Sequence, residues 1–281
     1  MKKILGLTFL ITTVASSFGV VLVNENFGTL ADATSLTSAT GTSNGFIGAG
    51  TGNTTFSYVR ISTGLTPVLE AQNPSAFTGA SGLLSSSSTS LTGVGSSGLS
   101  SFDVGTLTFS IRTGATLGAS SAFFFGVGTG TTFSGNSTFS SADLLAGYQF
   151  LNGQLQVRTG TGAVSAYTSI AGAILAPSTS AEIKVNFNGS ASTVTFGTDT
   201  VLAGTTDVFI NNVLVGDNID IIDNVTANGV RLYTTTSGSA YELDNVLLDV
   251  TVVPEPSTNV MIIGALGLAA LVYRRKAGVR L

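Results

Sequence analysis

The chain has no cysteine, no histidine and no tryptophan among its 281 residues. Without cysteine there are no disulfides, no thiolate metal sites and no cysteine nucleophile. Export remains open, because a chain of this length can bury a core without covalent staples. Without histidine the commonest general base is gone, and with it the Ser-His-Asp triad. Zinc would find only carboxylates, a poor ligand set for it. Without tryptophan the chain lacks a favoured flat surface for stacking sugars. Charge is also scarce, at 9% of residues. Six of the eleven basic residues sit at the two ends: Lys2, Lys3, Arg274, Arg275, Lys276 and Arg280. The body keeps five, Arg60, Arg112, Arg158, Lys184 and Arg231, against fourteen acidic residues, a net charge of −9. That balance excludes the positive footprint that nucleic-acid binding needs.

What the chain does have begins with two targeting segments. Lys2 and Lys3 precede an apolar run from Ile4 to Val14, followed by Ala15, Ser16, Ser17 and Gly19. A charged start, a short apolar core and a small-residue exit describe a secretory signal peptide over residues 1–19, drawn as a helix and cleaved between Ser16 and Val20. At the other end, Pro254-Glu255-Pro256-Ser257 precedes an uncharged run from Val260 to Tyr273, then Arg274, Arg275 and Lys276. The prolines lack an N–H and bias the residue before them to extended geometry, which ends any preceding strand. The apolar run reads as a transmembrane helix, since a helix satisfies its own backbone in lipid. It falls short of the roughly 20 residues of a full span, which suits a transient anchor. The basic cluster beyond it favours the cytoplasmic side.

This order of motif, apolar helix and basic cluster over residues 254–281 resembles the PEP-CTERM sorting signal of bacterial exported proteins. The resemblance implies an exosortase as processing partner, transient contact with the inner membrane, and delivery to the cell envelope or extracellular matrix. An ordinary single-pass C-terminal anchor is the alternative.

Residues 20–253 read as strands and turns throughout. Val20–Val23 is a short apolar strand, and Asn53–Ser62 alternates in part. Gly79–Ser101 is dominated by Ser, Gly, Thr and Leu, and reads as a surface excursion or a pair of weak strands. In Val104–Arg112, Leu107, Phe109 and Ile111 fall on one face and Thr106, Thr108, Ser110 and Arg112 on the other, the pattern of a half-buried strand. Ala122–Val127 is apolar throughout, as in a central strand covered on both faces. Leu144–Phe150 and Gln154–Arg158 flank Asn152-Gly153, a two-residue hairpin turn that tolerates positive φ. Ala181–Phe187 places Ile183, Val185 and Phe187 inward and Glu182, Lys184 and Asn186 outward. Asn188-Gly189 then turns the chain toward Ser192–Phe196. Asn211-Asn212 turns Asp207–Ile210 into Val213–Val215, and Gly229–Thr235 and Tyr241–Val253 finish the domain.

Many short strands with tight turns and no helical periodicity imply an all-β, antiparallel two-sheet sandwich or jelly roll. The early Asn26-Phe27, the segment V-F-I-N-N-V-L-V-G and the final E-L-D-N-V-L-L-D-V-T-V resemble the concanavalin A-like (laminin-G-like) jelly roll. The resemblance implies that Tyr241–Val253 pairs back beside Val20–Phe27. A different two-sheet sandwich is the alternative.

Glu242-Leu243-Asp244 resembles the start of the E-x-D-x-x-E strand of laminarinase-like glycoside hydrolases, but Leu247 stands where the third carboxylate belongs. Without that acid a double displacement fails, so the expectation is no enzyme, with Asp244 and Asn245 closing a hairpin or pairing with the edge of the first strand. Asp217, Asp220 and Asp223 recur within nine residues and offer oxygen ligands of the kind calcium takes, against a bland reading as solvated acidic turns; no other cofactor is implied. Tyr167 and Tyr233 are the candidates for stacking a glycan. The expected function is that of an exported, non-enzymatic surface or matrix protein. The alternative is a carbohydrate-binding module whose partner is exopolysaccharide.

Overall fold

A computed structural model describes residues 19–25, 56–60, 68–72, 81–85, 92–96, 99–118, 122–129, 139–159, 166–223, 225–234 and 240–252. The expected signal helix, the Pro-Glu-Pro motif, the apolar tail helix and the basic cluster lie outside these residues. Among the described residues no helix is long and apolar enough to cross a membrane.

Seventeen strands form among them. They are β1 (Gly19–Glu25), β2 (Phe56–Arg60), β3 (Val68–Gln72), β4 (Ser81–Ser85), β5 (Thr92–Ser96) and β6 (Phe102–Thr113). Then come β7 (Ala122–Gly128), β8 (Leu144–Leu151), β9 (Gln154–Thr159), β10 (Ala166–Ile174) and β11 (Ser180–Asn188). The chain continues through β12 (Val194–Phe196), β13 (Asp199–Val201), β14 (Thr205–Ile210), β15 (Val213–Asp220), β16 (Gly229–Thr234) and β17 (Ala240–Val252). One sheet runs β15-β14-β11-β6-β17-β4-β3, with β1 also on β17; the other runs β10-β9-β8-β7-β16-β5-β2. β12 and β13 form a separate hairpin. The pairs are antiparallel, so the architecture is the two-sheet jelly-roll sandwich that the alternation implies.

Alternation sets the layers. On β6, Leu107, Phe109 and Ile111 are buried while Thr106, Thr108, Ser110 and Arg112 are only partly covered. The inner faces meet through aromatic rings. Phe109 meets Phe125 edge-on at 5.0 Å, and Phe125 stacks on Tyr148 at 5.2 Å. Such contacts add to the burial of 150–250 Å² that each ring brings. β7 is covered on both faces, as its apolar sequence implies: Phe123 and Phe125 enter the main core, and Phe124 packs into a second cluster with Phe139, Leu144, Ile222 and Tyr233.

The two foreseen hairpin turns form with the backbone they require. Asn152 and Gly153 have φ of 50° and 77°, and Asn211 and Asn212 have 51° and 62°. Gly79–Ser101 contributes two strands, the second of the two readings, but β4 and β5 enter different sheets and do not pair with each other. β3, β10 and β13 were not anticipated.

Three expectations are corrected. Asn186 points away from the core as expected, yet it is 1% exposed, because the β12–β13 hairpin covers that face. Asn188 does more than turn the chain: its Nδ2 donates to the carbonyls of Ser192, Val201 and Leu202 at 2.8, 3.1 and 3.0 Å, tying both ends of that hairpin down. Asp244 and Asn245 close no hairpin. They form a bulge inside β17, where the register against β6 shifts between Asp244 and Leu247.

The bulge has a topological reason. On its other edge β17 pairs Ala240–Leu243 with β4 and Val246–Thr251 with β1. One strand thus carries two partners end to end, and the bulge falls at the join. The pairing of first strand with last is the one the resemblance implies. Asn245 has φ of 51°, which costs most residues roughly 1–2 kcal/mol and Asn or Gly much less. Asn245→Val is therefore expected to lower unfolding free energy by about 1–2 kcal/mol more than Asn245→Gly does, because both lose the side-chain amide and only valine resists the positive φ. Urea denaturation of the two variants measures the difference.

Candidate functional site on the outer face of the smaller sheet

Alternate residues of β7, β8, β9, β10 and β16 leave the core and meet on the outer face of the smaller sheet. Phe124 of β7 and Tyr233 of β16 stack at 4.8 Å with their planes 11° apart. Phe139 closes edge-on against Tyr233 at 4.9 Å. Its backbone is held from both sides: the Phe139 N–H donates to the Tyr233 hydroxyl at 3.0 Å, and its carbonyl accepts from Arg158 Nη1 at 2.7 Å. The Arg158 guanidinium lies 5.8 Å from the centre of the Tyr167 ring, and that of Arg231 lies 4.7 Å from the Tyr233 ring. Two of the five basic residues of an acidic body are thus buried beside aromatic rings, an arrangement that favours cations. Burial lowers the pKa of Arg231 and raises that of the Tyr233 hydroxyl.

Next to this packed half lies a more open, polar half. Gln149 Nε2 donates to Gln156 Oε1 at 2.5 Å, and Gln156 Nε2 donates to Ser169 Oγ at 3.2 Å. The result is an amide–hydroxyl ladder across β8, β9 and β10, with Tyr167 at its side. Tyr167 is partly exposed; burial raises its hydroxyl pKa, and the nearby Arg158 pulls it the other way. A partly exposed ring beside side-chain amides and hydroxyls has the chemistry that a sugar can use: apolar carbon to pack on and groups to bond hydroxyls.

The residues singled out from sequence fall into place differently. Tyr167 keeps part of its surface exposed, but Tyr233 does not, because it is 1% exposed beneath Phe139. Nothing in its own strand tells that Phe139, distant in sequence, covers it. Glu242 is buried and its carboxylate accepts from Arg112 at 3.0 Å. Asp244 is buried too, and its oxygens accept from the N–H and Nδ2 of Asn245 at 2.8 and 3.1 Å. The two carboxylates thus hold Arg112 and the bulge. Asp217 and Asp220 belong to β15, with Asp223 just beyond it, and Asp217 Oδ1 accepts from Asn218 Nδ2 at 2.7 Å. Among the described residues no three acidic side chains come together to hold a metal ion. Gln149, Gln156 and Arg158 went unnoticed in sequence, although they occupy the polar positions of the two strands flanking Asn152-Gly153.

Comparisons with known proteins add one sequence match and several likenesses of shape. The model of the PEP-CTERM protein-sorting motif matches residues 252–276, so the chain carries that motif. A search of curated proteins gives no match. Among solved structures the chain is similar to the carbohydrate recognition domain of Emp47p, at 11% identity over 67% of this chain and 88% of that one, with TM-score 0.43. It is similar to Cip1, a cellulose-induced protein, at 12% identity over 68% and 90%, with TM-score 0.44. It is also similar to the carbohydrate-binding module CBM66 from Bacillus subtilis, at 14% identity over 64% and 92%, with TM-score 0.34.

Buried carboxyls give this body an acid-leaning stability. Burial pushes the Asp244 carboxyl up to about 6 against its hydrogen bond from Asn245, and burial also pushes Asp207 up to about 6. A carboxyl whose folded pKa lies above its unfolded value stabilises the fold fully below the unfolded value, and that contribution is lost as pH rises through the folded one. Each group is expected to contribute about 1 kcal/mol less at pH 7.5 than at pH 5. Urea titrations at the two pH values should show the fall, and Asp244→Asn should remove about half of it.

Proposed function

We propose that this is an exported, non-enzymatic sandwich protein that an exosortase processes at its tail and delivers to the cell envelope or extracellular polymer matrix. The carrying observation is where the sorting motif begins. Its match starts at Val252, the last residue of β17, a strand paired on both edges within the larger sheet. The folded body and the address label adjoin with no intervening linker. Val260–Tyr273 then serves as a transient anchor in the inner membrane, and Arg274, Arg275 and Lys276 hold its far end on the cytoplasmic side. Pro254, Glu255, Pro256 and Ser257 form the recognised element.

The absence of catalytic function rests on chemistry. The chain has no histidine or cysteine. The carboxylate strand lacks its third acid, and its first two acids hold Arg112 and Asn245. That strand therefore cannot supply both the acid and the nucleophile of a double displacement.

A second reading, a carbohydrate-binding module of the same matrix, is favoured by one arrangement: Tyr167 beside the Gln149–Gln156–Ser169 ladder. Exopolysaccharide is its partner.

Replacing Pro254, Glu255 and Pro256 with alanine in the producing cell should leave an unprocessed, membrane-associated precursor, read by mass spectrometry of the cell fractions. Maturation at the normal site in that variant would refute sorting by this motif. For the second reading, the protein is applied to an array of bacterial exopolysaccharides. Binding that falls about tenfold or more in both Tyr167→Ala and Gln156→Ala supports the ladder as the contact surface, by loss of roughly 1.4 kcal/mol or more. Binding unchanged in both variants excludes it.

A further inference from the structure

We propose that the β12–β13 hairpin is a proton-operated clasp, closed on the outer face of the larger sheet by a carboxyl pair, Asp199 with Asp207, that shares one proton. The hairpin lies against β11 and β14. On those two strands Asn186 and Asp207 are direct cross-strand partners, and both side chains leave the core on the side the hairpin covers. Asn186 is fixed from below by Thr106 Oγ1 of β6, which donates to its Oδ1 at 2.9 Å. Its Nδ2 donates in turn to Asp199 Oδ2 at 2.6 Å. The Asp199 carboxyl, on β13, is thereby placed beside that of Asp207.

Asp207 is 1% exposed. Its Oδ1 accepts from the Asn218 N–H at 2.6 Å, while its Oδ2 is buried with no hydrogen-bond partner. A neighbouring carboxyl can satisfy that oxygen only if one of the two carries a proton.

The charges around the pair do not replace it. From β15, Asp217 adds a further negative charge. From β11, Lys184 is drawn away over the Phe209 ring, with its Nζ 4.1 Å from the centroid. From β6 comes only Thr106. Among the described residues neither carboxylate has a cation within ion-pair distance. Burial is the largest cause raising Asp207 to about 6, and the charges of Asp199 and Asp217 push the same way, against the Asn218 hydrogen bond.

The consequence has a definite sign. Below the ordinary carboxylate range the shared proton is in place and the clasp is shut. As pH rises through about 6 the proton leaves, two negative charges face one another, and the hairpin loosens. Loosening would uncover Val201, which is fully buried in the closed form, and the polar strip of Thr106, Asn186 and Asp207. The switch window lies in the mildly acid range.

Hydrogen–deuterium exchange of the full chain at pH 5 and pH 7, corrected for intrinsic rates, tests the idea. Peptides spanning 194–201 are expected to lose protection about tenfold on going to pH 7, while those of β11 at 181–187 hold theirs as a control for the fold. Asp207→Asn supplies a permanent donor to Asp199, and Asp199→Asn supplies one to Asp207. Each should make protection of 194–201 the same at both pH values. Equal protection at both pH values in the unaltered chain would overturn the clasp. So would a tenfold loss that persists in Asp199→Asn, the variant that leaves the β14 strand itself unaltered.

Discussion

The structure depends on its last two strands being inserted into the middle of both sheets. β16 lies between β7 and β5, and β17 lies between β6 on one side and β4 and β1 on the other. The strands β1 to β5 reach the rest of their sheets only through these two. β2 and β5 hang from β16, and β3 and β4 hang from β17. Backbone hydrogen bonds along β16 and β17 therefore do what no disulfide can do in a chain without cysteine. Burial of Leu232, Leu243, Leu248 and Val250 between the sheets supplies the apolar contribution.

The bulge at Asp244 and Asn245 follows from that burden. A single strand that must serve β4 over its first half and β1 over its second needs a point where register can shift. Asn245 tolerates the backbone that the shift imposes, and the Asp244 carboxyl caps it. The residues that look like the start of a catalytic strand are thus explained by the join between two partner strands. A pair of carboxylates at alternate positions is a pattern that stability and chemistry can both produce, and hydrogen-bond partners decide between them.

Strong alternation was legible at once. β6 and β11 announce their inner faces through Leu107, Phe109, Ile111, Ile183, Val185 and Phe187, because a single pleat puts every second residue on one side. Asn152-Gly153 and Asn211-Asn212 were legible because positive φ restricts the residues that fit. β3 was not legible and β4 and β5 only barely, since sequences such as Ser-Gly-Leu-Leu-Ser have little strand preference and owe their geometry to β16 and β17. Pattern also reports a face without reporting what lies over it. Asn186 was assigned the correct side of its strand, but the β12–β13 hairpin buries it, and Tyr233, a candidate for stacking a glycan, lies under Phe139. The Gln149–Gln156–Ser169 ladder escaped for a related reason, since it exists only across three strands in register.

The placement of β16 and β17 has a consequence for the order of events in the cell. Ribosomes finish these strands late: the smaller sheet has its centre only once residue 234 is available, and the larger only once residue 252 is. β1 to β5 then have no neighbour in the remainder of the sandwich to pair with, and every such pairing is long-range, the slowest kind to form. In the growing polypeptide β1 to β5 therefore stay detached from the strands β6 to β11, β14 and β15, and the larger sheet is completed only once the strand next to the sorting motif has been made.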